Sequence, residues 1–337
     1  MKRMFISIVV GLALLLGLMP AAVTFAAETG TTSGSFSVGN AVPVVTDIEL
    51  YSDSNLTTVS STIIPQVIYY IKISVTCPNS LDDIKLVTIK IFYDTTGSVD
   101  ESTITAGASQ TAAILTWTKS TGLWAIAAGS TTSWTIESTL CRVPPDLTAS
   151  SGYGVFAFKA GKVATESIGT NDWDLHGRVT GSSDLTSGLY RRHKKMMWYG
   201  ESMVNTSNVA WGSVTPGTGF ADNVNEKTDI SITYVSNGDF QELVKSTATW
   251  AGSSNTAVFD SSGACMHMME FSLKACCEDV FASAVQLNTI GVVLEGDGMQ
   301  TGEGGESHAT DTLWLKLAAT FSVDLYTGTI SYIVANR

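Results

Sequence analysis

The chain has 337 residues, of which only 15% are charged, and its formal net charge at neutral pH is −12. This acidic balance argues against nucleic-acid binding and against attachment to anionic lipid, since both need clustered Lys and Arg side chains. A hydrophobic content of 44% is enough for packed cores, which excludes disorder over most of the chain. The length corresponds to about two domains.

The first 26 residues have the three-part layout of a secretory signal peptide. Lys2 and Arg3 give a positive start, an apolar run extends from Met4 to Met19, and small residues lead to Ala26. Cleavage after Ala26 would remove the only segment that approaches the ~20 apolar residues needed to span a bilayer. We therefore expect a secreted, cell-surface-associated protein whose mature chain is not inserted into a membrane.

Short strands separated by turns fill the next part of the sequence. Residues 27–42 are rich in Gly, Ser and Thr and are predicted to form a flexible leader. Residues 43–180 are predicted to form a first domain, because apolar residues alternate with polar ones in many short runs. This spacing favours an antiparallel sandwich over alternating strands and helices. The predicted strands lie at 67–76, 86–93, 112–118, 122–127, 132–138 and 153–159.

The composition changes at 181–195, which we predict to be a linker. A Gly/Ser-rich stretch there leads into the dense basic cluster Arg191-Arg192-His193-Lys194-Lys195. A second sandwich domain is predicted at 196–337, with alternating strands around residues 230–234, 313–317 and 330–334. The fold class is thus all-β, with two antiparallel β-sandwich domains after a cleaved signal peptide.

Several short patches resemble immunoglobulin-like modules of bacterial and archaeal surface proteins. They are Pro78-Asn79-Ser80-Leu81-Asp82-Asp83-Ile84 and the strand ending Phe92-Tyr93-Asp94, then Val209-Ala210-Trp211-Gly212-Ser213-Val214-Thr215-Pro216-Gly217, Leu313-Trp314-Leu315-Lys316-Leu317 and Tyr326-Thr327-Gly328-Thr329-Ile330. The resemblance implies a secreted envelope protein with immunoglobulin-like sandwiches and no catalytic residues. Cys77 departs from it, because a turn residue such as Asp is expected there.

An acidic, Gly-rich stretch near the end of the chain is a candidate calcium site. Calcium takes six to eight oxygen ligands, and Gly lets the backbone fold around the ion. The alternative is a solvated acidic hairpin loop that binds nothing. The candidate ligands are Glu295, Asp297, Glu303, Glu306 and Asp311.

Cys265, His267 and Met269 supply the soft ligand types that copper favours. On a strand these three side chains would share one face. The alternative is an apolar strand face with one hydrogen-bonded histidine, since Met and Cys also fill cores. Disulfides are open to an exported chain, and the candidate pairs are Cys77 with Cys141, and Cys265 with Cys276 or Cys277.

The basic cluster offers a candidate interaction surface. Arg191, Arg192, Lys194 and Lys195 could hold an acidic glycan or the acidic surface of another copy, or form a solvated, protease-sensitive linker. Trp117, Trp124 and Trp134 fall within one group of short strands, which is a pattern compatible with sugar binding as well as with core packing.

No hydrolase, metalloprotease or phosphate-binding motif is present in the sequence, so we predict that the protein is not an enzyme. The preferred function is a structural subunit of a surface layer, fibre or coat, held by non-covalent self-association. Strand addition by residues 27–42 or by the terminal strand 326–335 is one route to assembly. The alternatives are a glycan-binding or adhesive module and, third, an extracellular copper or redox protein.

Overall fold

The computed structural model describes residues 33–105, 110–126, 133–206 and 208–337, with the backbone alone at 308–310. The predicted signal peptide, 1–26, lies outside the described residues. The chain divides into a leading unit that ends at Gly39 and a compact unit from Asn40 to Arg337. The regular elements of the described residues are strands and short 3₁₀ turns, so the prediction of an all-β fold is confirmed. No helix among them is long and apolar enough to cross a bilayer.

The first sandwich consists of a four-stranded sheet, β1-β3-β8-β7, packed on a six-stranded sheet, β2-β10-β9-β4-β5-β6. All pairings are antiparallel except that of β2 with β10. Two 3₁₀ turns, Leu81–Asp83 and Glu101–Thr103, flank β4, and a third, Ser138–Leu140, follows β7. The strands are β1 Val44–Tyr51, β2 Thr62–Ile63, β3 Ile68–Thr76, β4 Ile84–Asp94, β5 Ala112–Thr118, β6 Leu123–Ile126, β7 Thr135–Ile136, β8 Ser151–Lys159, β9 Asp172–Gly181 and β10 Tyr190–Met196.

Alternation along the strands builds the first core, as the sequence predicts. Ile71 and Ile73 of β3 face Ile89 and Ile91 of β4 across the sandwich, and all four side chains are buried. Gly177 of β9 lets the sheets approach closely, because a Cβ atom there would lie 2.9 Å from the Ile73 side chain. The apolar residues that alternate with a period of two in the sequence are therefore the ones on the buried face of each strand.

The second sandwich packs a seven-stranded sheet on a smaller sheet of three. The larger sheet has the order β11-β12-β19-β16-β15-β14, with β17 beside β16, and the smaller has the order β18-β13-β20. A 3₁₀ turn, Phe281–Ser283, precedes β17. The strands are β11 Gly200–Val204, β12 Glu226–Ser236, β13 Phe240–Ser246, β14 Thr249–Ala251, β15 Thr256–Phe259, β16 Glu270–Cys276, β17 Val285–Gln286, β18 Val292–Gly298, β19 Glu306–Leu317 and β20 Ile330–Asn336.

The predicted linker at 181–195 requires a correction. Residues Tyr190–Met196 form strand β10, which pairs with β9 along five residues and with β2 at its end. Long cationic side chains are accommodated in this strand because acidic residues of neighbouring strands lie beside them. The irregular part of the predicted linker is confined to the β9–β10 connection, and the domain boundaries and the immunoglobulin-like assignment stay predictions.

The two sandwiches meet end to end through hydrogen bonds. The buried Asn237 side chain donates to the backbone carbonyls of Ala164 and Met197, each at 2.8 Å. Gln110 donates to the carbonyl of Thr301 at 2.9 Å. In the second sandwich, Asn237 follows the end of β12 and Thr301 precedes the start of β19. We call this the inner end of each sandwich, and the opposite ends the outer ends.

Candidate functional site

The basic cluster lies on β10 and is paired within the chain. The Arg191 guanidinium bridges two fully buried carboxylates, 2.6 Å from Asp94 and 2.5 Å from Asp174. Burial acts to raise the pKa of Asp94, but backbone N–H groups of Thr96, Val99 and Gly97 donate to its carboxylate and lower the pKa overall. Burial raises the pKa of Asp174 despite the opposing charge of Arg191.

The other cations of the cluster alternate between the two faces of β10. Arg192 lies 3.0 Å from Asp47, and the buried Lys194 lies 2.5 Å from Glu49, both of which are residues of β1. Lys195 donates to the carbonyl of Asn171 at 2.7 Å. Internal partners therefore account for all four cations, and a role for them in binding another molecule stays a prediction.

The same network contains a group of residues able to hold a metal ion. Single ligand atoms of Asp172, Asp174 and His193 lie within 4.8 Å of one another. His193 Nδ1 is 2.6 Å from Asp174, whose other oxygen faces Arg191. An added cation would compete with the guanidinium for this carboxylate, so the geometry favours an ion-pair network over a metal centre.

A buried histidine lies beside this network. His176 of β9 is 2% exposed, and neither of its ring nitrogens has a hydrogen-bond partner among the described residues. Burial and then the positive charge of Arg191 lower its pKa to about 4. Its ring packs edge-on against Phe92, with the centroids 4.6 Å apart. The imidazole is therefore neutral at physiological pH.

The candidate calcium ligands lie in different parts of the second sandwich. Glu295 and Asp297 belong to β18 in the three-stranded sheet, whereas Glu306 and Asp311 belong to β19 in the larger sheet. The stretch is thus a crossover between sheets and not a hairpin. Glu303 hydrogen-bonds to Ser133 of the first sandwich. These five carboxylates form no ligand group among the described residues, and calcium binding stays a prediction.

The candidate copper ligands are not on a strand, which corrects the predicted shared face. Residues 261–269 form a loop between β15 and β16, in which Cys265 and Met269 have positive φ angles of 49° and 66°. Burial raises the pKa of Cys265 to about 11, so the thiolate that binds copper is disfavoured. The backbone N–H of Ser322 donates to the Met269 sulfur at 3.2 Å, while copper binding itself stays a prediction.

Neither candidate disulfide is formed in the structure, because Cys77, Cys141 and Cys265 carry free thiols. Cys77 and Cys265 are buried in different sandwiches, and burial raises the pKa of both Cys141 and Cys277 to about 11. Protonated, buried thiols act as small apolar side chains in the packing.

The clustered tryptophans of the first sandwich pack into its core. Trp117 and Trp134 are buried, and Trp124 meets Phe156 edge-on with the ring centroids 4.6 Å apart. Their faces are therefore used in packing, which leaves little aromatic surface for a sugar.

A large groove opens at the outer end of the second sandwich. It has a volume of about 1090 Å³, and its floor contains the apolar side chains of Ile230, Phe271 and Leu315 from β12, β16 and β19. Two irregular segments form its walls, residues 208–216 and 321–330. The volume is at the upper limit of the roughly 300–1,000 Å³ of small-molecule pockets.

The walls of the groove combine aromatic and exposed apolar side chains. Trp211 lies 6.0 Å from Trp250 between ring centroids, and its buried indole N–H has no hydrogen-bond partner among the described residues. Val323 is fully exposed and Leu325 is 79% exposed on the opposite wall. Exposed apolar side chains around an apolar groove are typical of an interaction site. Sequence reasoning missed this site, although apolar residues within Gly- and Pro-containing segments were a usable signal.

β20 runs beside this groove as an edge strand. In the described sheets it pairs only with β13, and Ile330 and Tyr332 line the groove from the start of the strand. The hydroxyl of Ser202 donates to the carbonyl of Tyr332 at 3.0 Å, and no other described side chain bonds to this stretch of backbone before Asn336. Gly200 of β11 also lies against the Val334 side chain, so β11 covers this edge of β20 beyond Tyr332.

No protein-family model and no curated protein sequence matches the chain. Among solved structures, a 35 kDa C-terminal fragment of the major pilin of Streptococcus agalactiae is similar to it at 10% sequence identity, over 85% of this chain and 90% of the fragment, with a TM-score of 0.23. At this TM-score the similarity carries no argument about function.

Proposed function

We propose that the protein is a secreted structural subunit of a cell-surface fibre, layer or coat, held by non-covalent self-association and without catalytic activity. The observation that carries the proposal is the apolar groove at the outer end of the second sandwich, with Val323 and Leu325 exposed on its wall. Burying such a surface against another molecule is favourable by roughly 25 cal/mol per Å². The low proportion of charged residues, 15%, is compatible with repeated contacts between copies.

The test is the size of the purified, secreted protein as its concentration rises. Sedimentation velocity and negative-stain electron microscopy are expected to show assemblies that grow with concentration. The apolar wall is expected to contribute, so Val323→Asp/Leu325→Asp should shift the distribution towards monomer. Ile290→Asp is the control, since Ile290 is 85% exposed but does not line the groove. A wild-type protein that stays monomeric at every concentration would contradict the proposal.

A second candidate function is glycan binding in the same groove, as an adhesive module. It is favoured by the rings of Trp211 and Tyr326, one from each of the two segments that line the groove. Aromatic faces with a polar tip suit sugar surfaces. A glycan array separates the two candidates: binding that is lost in Trp211→Ala supports the adhesive function, whereas an array without hits removes it.

A further inference from the structure

We infer that Asn55 is an N-glycosylation site, at which an oligosaccharide is transferred to the side-chain amide from a lipid-linked donor once the chain has been exported. The acceptor motif, Asn-x-Ser/Thr with x other than Pro, occurs at Asn55-Leu56-Thr57 and at Asn205-Thr206-Ser207. The motif is short, so whether a site is used depends on its surroundings, and these differ between the two asparagines. Asn55 belongs to the first sandwich, so its modification is independent of the groove in the second.

Asn55 is accessible in the connection between β1 and β2. Its side chain is exposed, and its carboxamide has no hydrogen-bond partner among the described residues. Thr57, whose hydroxyl completes the motif, is exposed as well. Leu56 lies between them and is half-buried, because it packs against a small apolar cluster of β3 and β8. The two residues that a transferase must reach are therefore at the surface, while the residue between them anchors the turn.

The turn around Asn55 is held by groups other than its own side chain. The carboxylate of Asp53 accepts the backbone N–H of Asn55 at 2.9 Å and that of Thr58 at 2.7 Å. The Arg142 guanidinium donates to the carbonyl of Ser54 at 2.7 Å. An oligosaccharide on the Asn55 side chain would therefore leave the hydrogen bonds of this turn in place.

Asn205 is exposed too, but its amide is already engaged. Its Nδ2 donates to the hydroxyl of Ser231 at 3.2 Å and to that of Thr233 at 2.9 Å, both of which belong to β12. The backbone N–H of Ser231 donates to the hydroxyl of Thr206 at 2.9 Å, which holds the middle of this motif against the same strand. The amide nitrogen is the atom that would bond to the sugar, so we expect Asn205 to stay unmodified.

The transfer is a substitution at the anomeric carbon of the donor. The Nδ2 atom of Asn55 forms a bond to this carbon, the bond from the carbon to a phosphate oxygen breaks, and the lipid phosphate leaves with the electron pair. The amide nitrogen gives up one of its two protons to a base of the transferase, and nothing is oxidised or reduced. The predicted signal peptide would bring the chain to the secretory route, where the enzyme and its lipid-linked oligosaccharide are found. The product carries a bulky, solubilising group on the surface of the first sandwich.

The experiment compares the two motifs within one preparation of the protein. The chain is purified from the culture medium of its source organism, and the same chain made in a host without this transferase gives the reference masses. Digestion with trypsin in urea places the motifs on separate peptides, one ending at Lys72 and the other extending from Met196 to Lys227. Mass spectrometry is expected to find sugar fragment ions and an added mass on the first peptide, and the reference mass for the second.

Two variants separate N-linked transfer from other attachments. Asn55→Gln removes the acceptor, and Thr57→Val removes the hydroxyl of the motif but leaves Asn55 in place, so each is expected to return the first peptide to its reference mass. Asn205→Gln is the matched control and should leave the added mass unchanged. An added mass that persists in Asn55→Gln would place the sugar on a Ser or Thr hydroxyl and overturn the inference, as would a first peptide of the wild type at its reference mass.

Discussion

The guanidinium of Arg191 neutralises two carboxylates that have no contact with solvent, those of Asp94 and Asp174. Asp94 also accepts backbone N–H groups of the segment after β4, so the ion pair fixes this segment against the sheet. Arg192, the next residue, faces Asp47 at the surface instead. Removing Arg191 would therefore leave two buried carboxylates without a cation, whereas removing Arg192 would leave a carboxylate at the surface.

We predict that Arg191→Met lowers the free energy of unfolding by about 3–5 kcal/mol, because it leaves two buried carboxylates without their cation. Arg192→Met, on the same strand, is the control and should cost less than about 1 kcal/mol, as is usual for solvent-exposed pairs. Urea unfolding monitored by tryptophan fluorescence measures both values. Equal losses in the two variants would show that the bridge is energetically no different from a surface pair.

His176 makes stability depend on pH in a definite direction. Its pKa is about 4 in the folded chain, against about 6.5 when unfolded. Between these values the unfolded chain binds a proton that the folded chain does not, so stability falls as the pH falls from 6.5 to 4. Multiplying the shift by 1.36 kcal/mol per unit gives a loss of about 3 kcal/mol across this window.

We therefore expect His176→Leu to flatten the dependence of unfolding free energy on pH between 4 and 6.5. Leucine fills a similar volume and carries no titratable group, while the surrounding acids titrate in both proteins. Urea unfolding at intervals of half a pH unit measures the difference between the two slopes. Parallel curves for wild type and variant would mean that His176 is protonated in the folded chain at the same pH as in the unfolded chain.

At the scale of elements, β10 is the strand for which the sequence pattern and the structure differ. Its residues Tyr190–Met196 include four cations and His193, a composition that favours a solvated segment. The strand forms because β9 supplies Asp174 on one face and β1 supplies Asp47 and Glu49 on the other. By contrast, β5 at Ala112–Thr118 follows the predicted bounds, since its alternating apolar residues need only a core.

We predict that trypsin spares the sites after Arg191, Arg192, Lys194 and Lys195 in the folded protein. Cleavage requires an extended, accessible backbone, whereas β10 is paired with β9 on one side and, at Lys195 and Met196, with β2 on the other. The same digestion in urea is the control and should cut all four sites. Mass spectrometry of the early fragments identifies the bonds that are cut. Rapid cleavage at these four sites under native conditions would favour the solvated linker.

At the scale of the whole molecule, hydrogen bonds join the two sandwiches into one compact unit. Asn237 is fully buried at this junction and bonds to backbone groups of Ala164, Met197 and Tyr199. Buried carbonyl groups that lose their donors carry a desolvation cost of about 1–3 kcal/mol.

Asn237→Leu is expected to destabilise the protein by about 1–3 kcal/mol, because carbonyl groups at the junction lose their donors. It should also separate the thermal unfolding of the two sandwiches into distinct calorimetric transitions. Asn205→Leu is the matched control, since Asn205 is exposed and bonds only within the second sandwich. A single unchanged transition in Asn237→Leu would show that the sandwiches do not rely on this residue for coupling.

The sequence by itself determined the fold class, because a period of two along short segments selects strands with one buried face. It also predicted a leader at residues 27–42 from their Gly, Ser and Thr content. Only the tertiary structure decided the partners of Arg191 and the existence of the groove. Ile230, Phe271 and Leu315 belong to three strands that are far apart in the chain. Which side chains meet depends on sheet order and register between distant strands, and local periodicity carries no information about either.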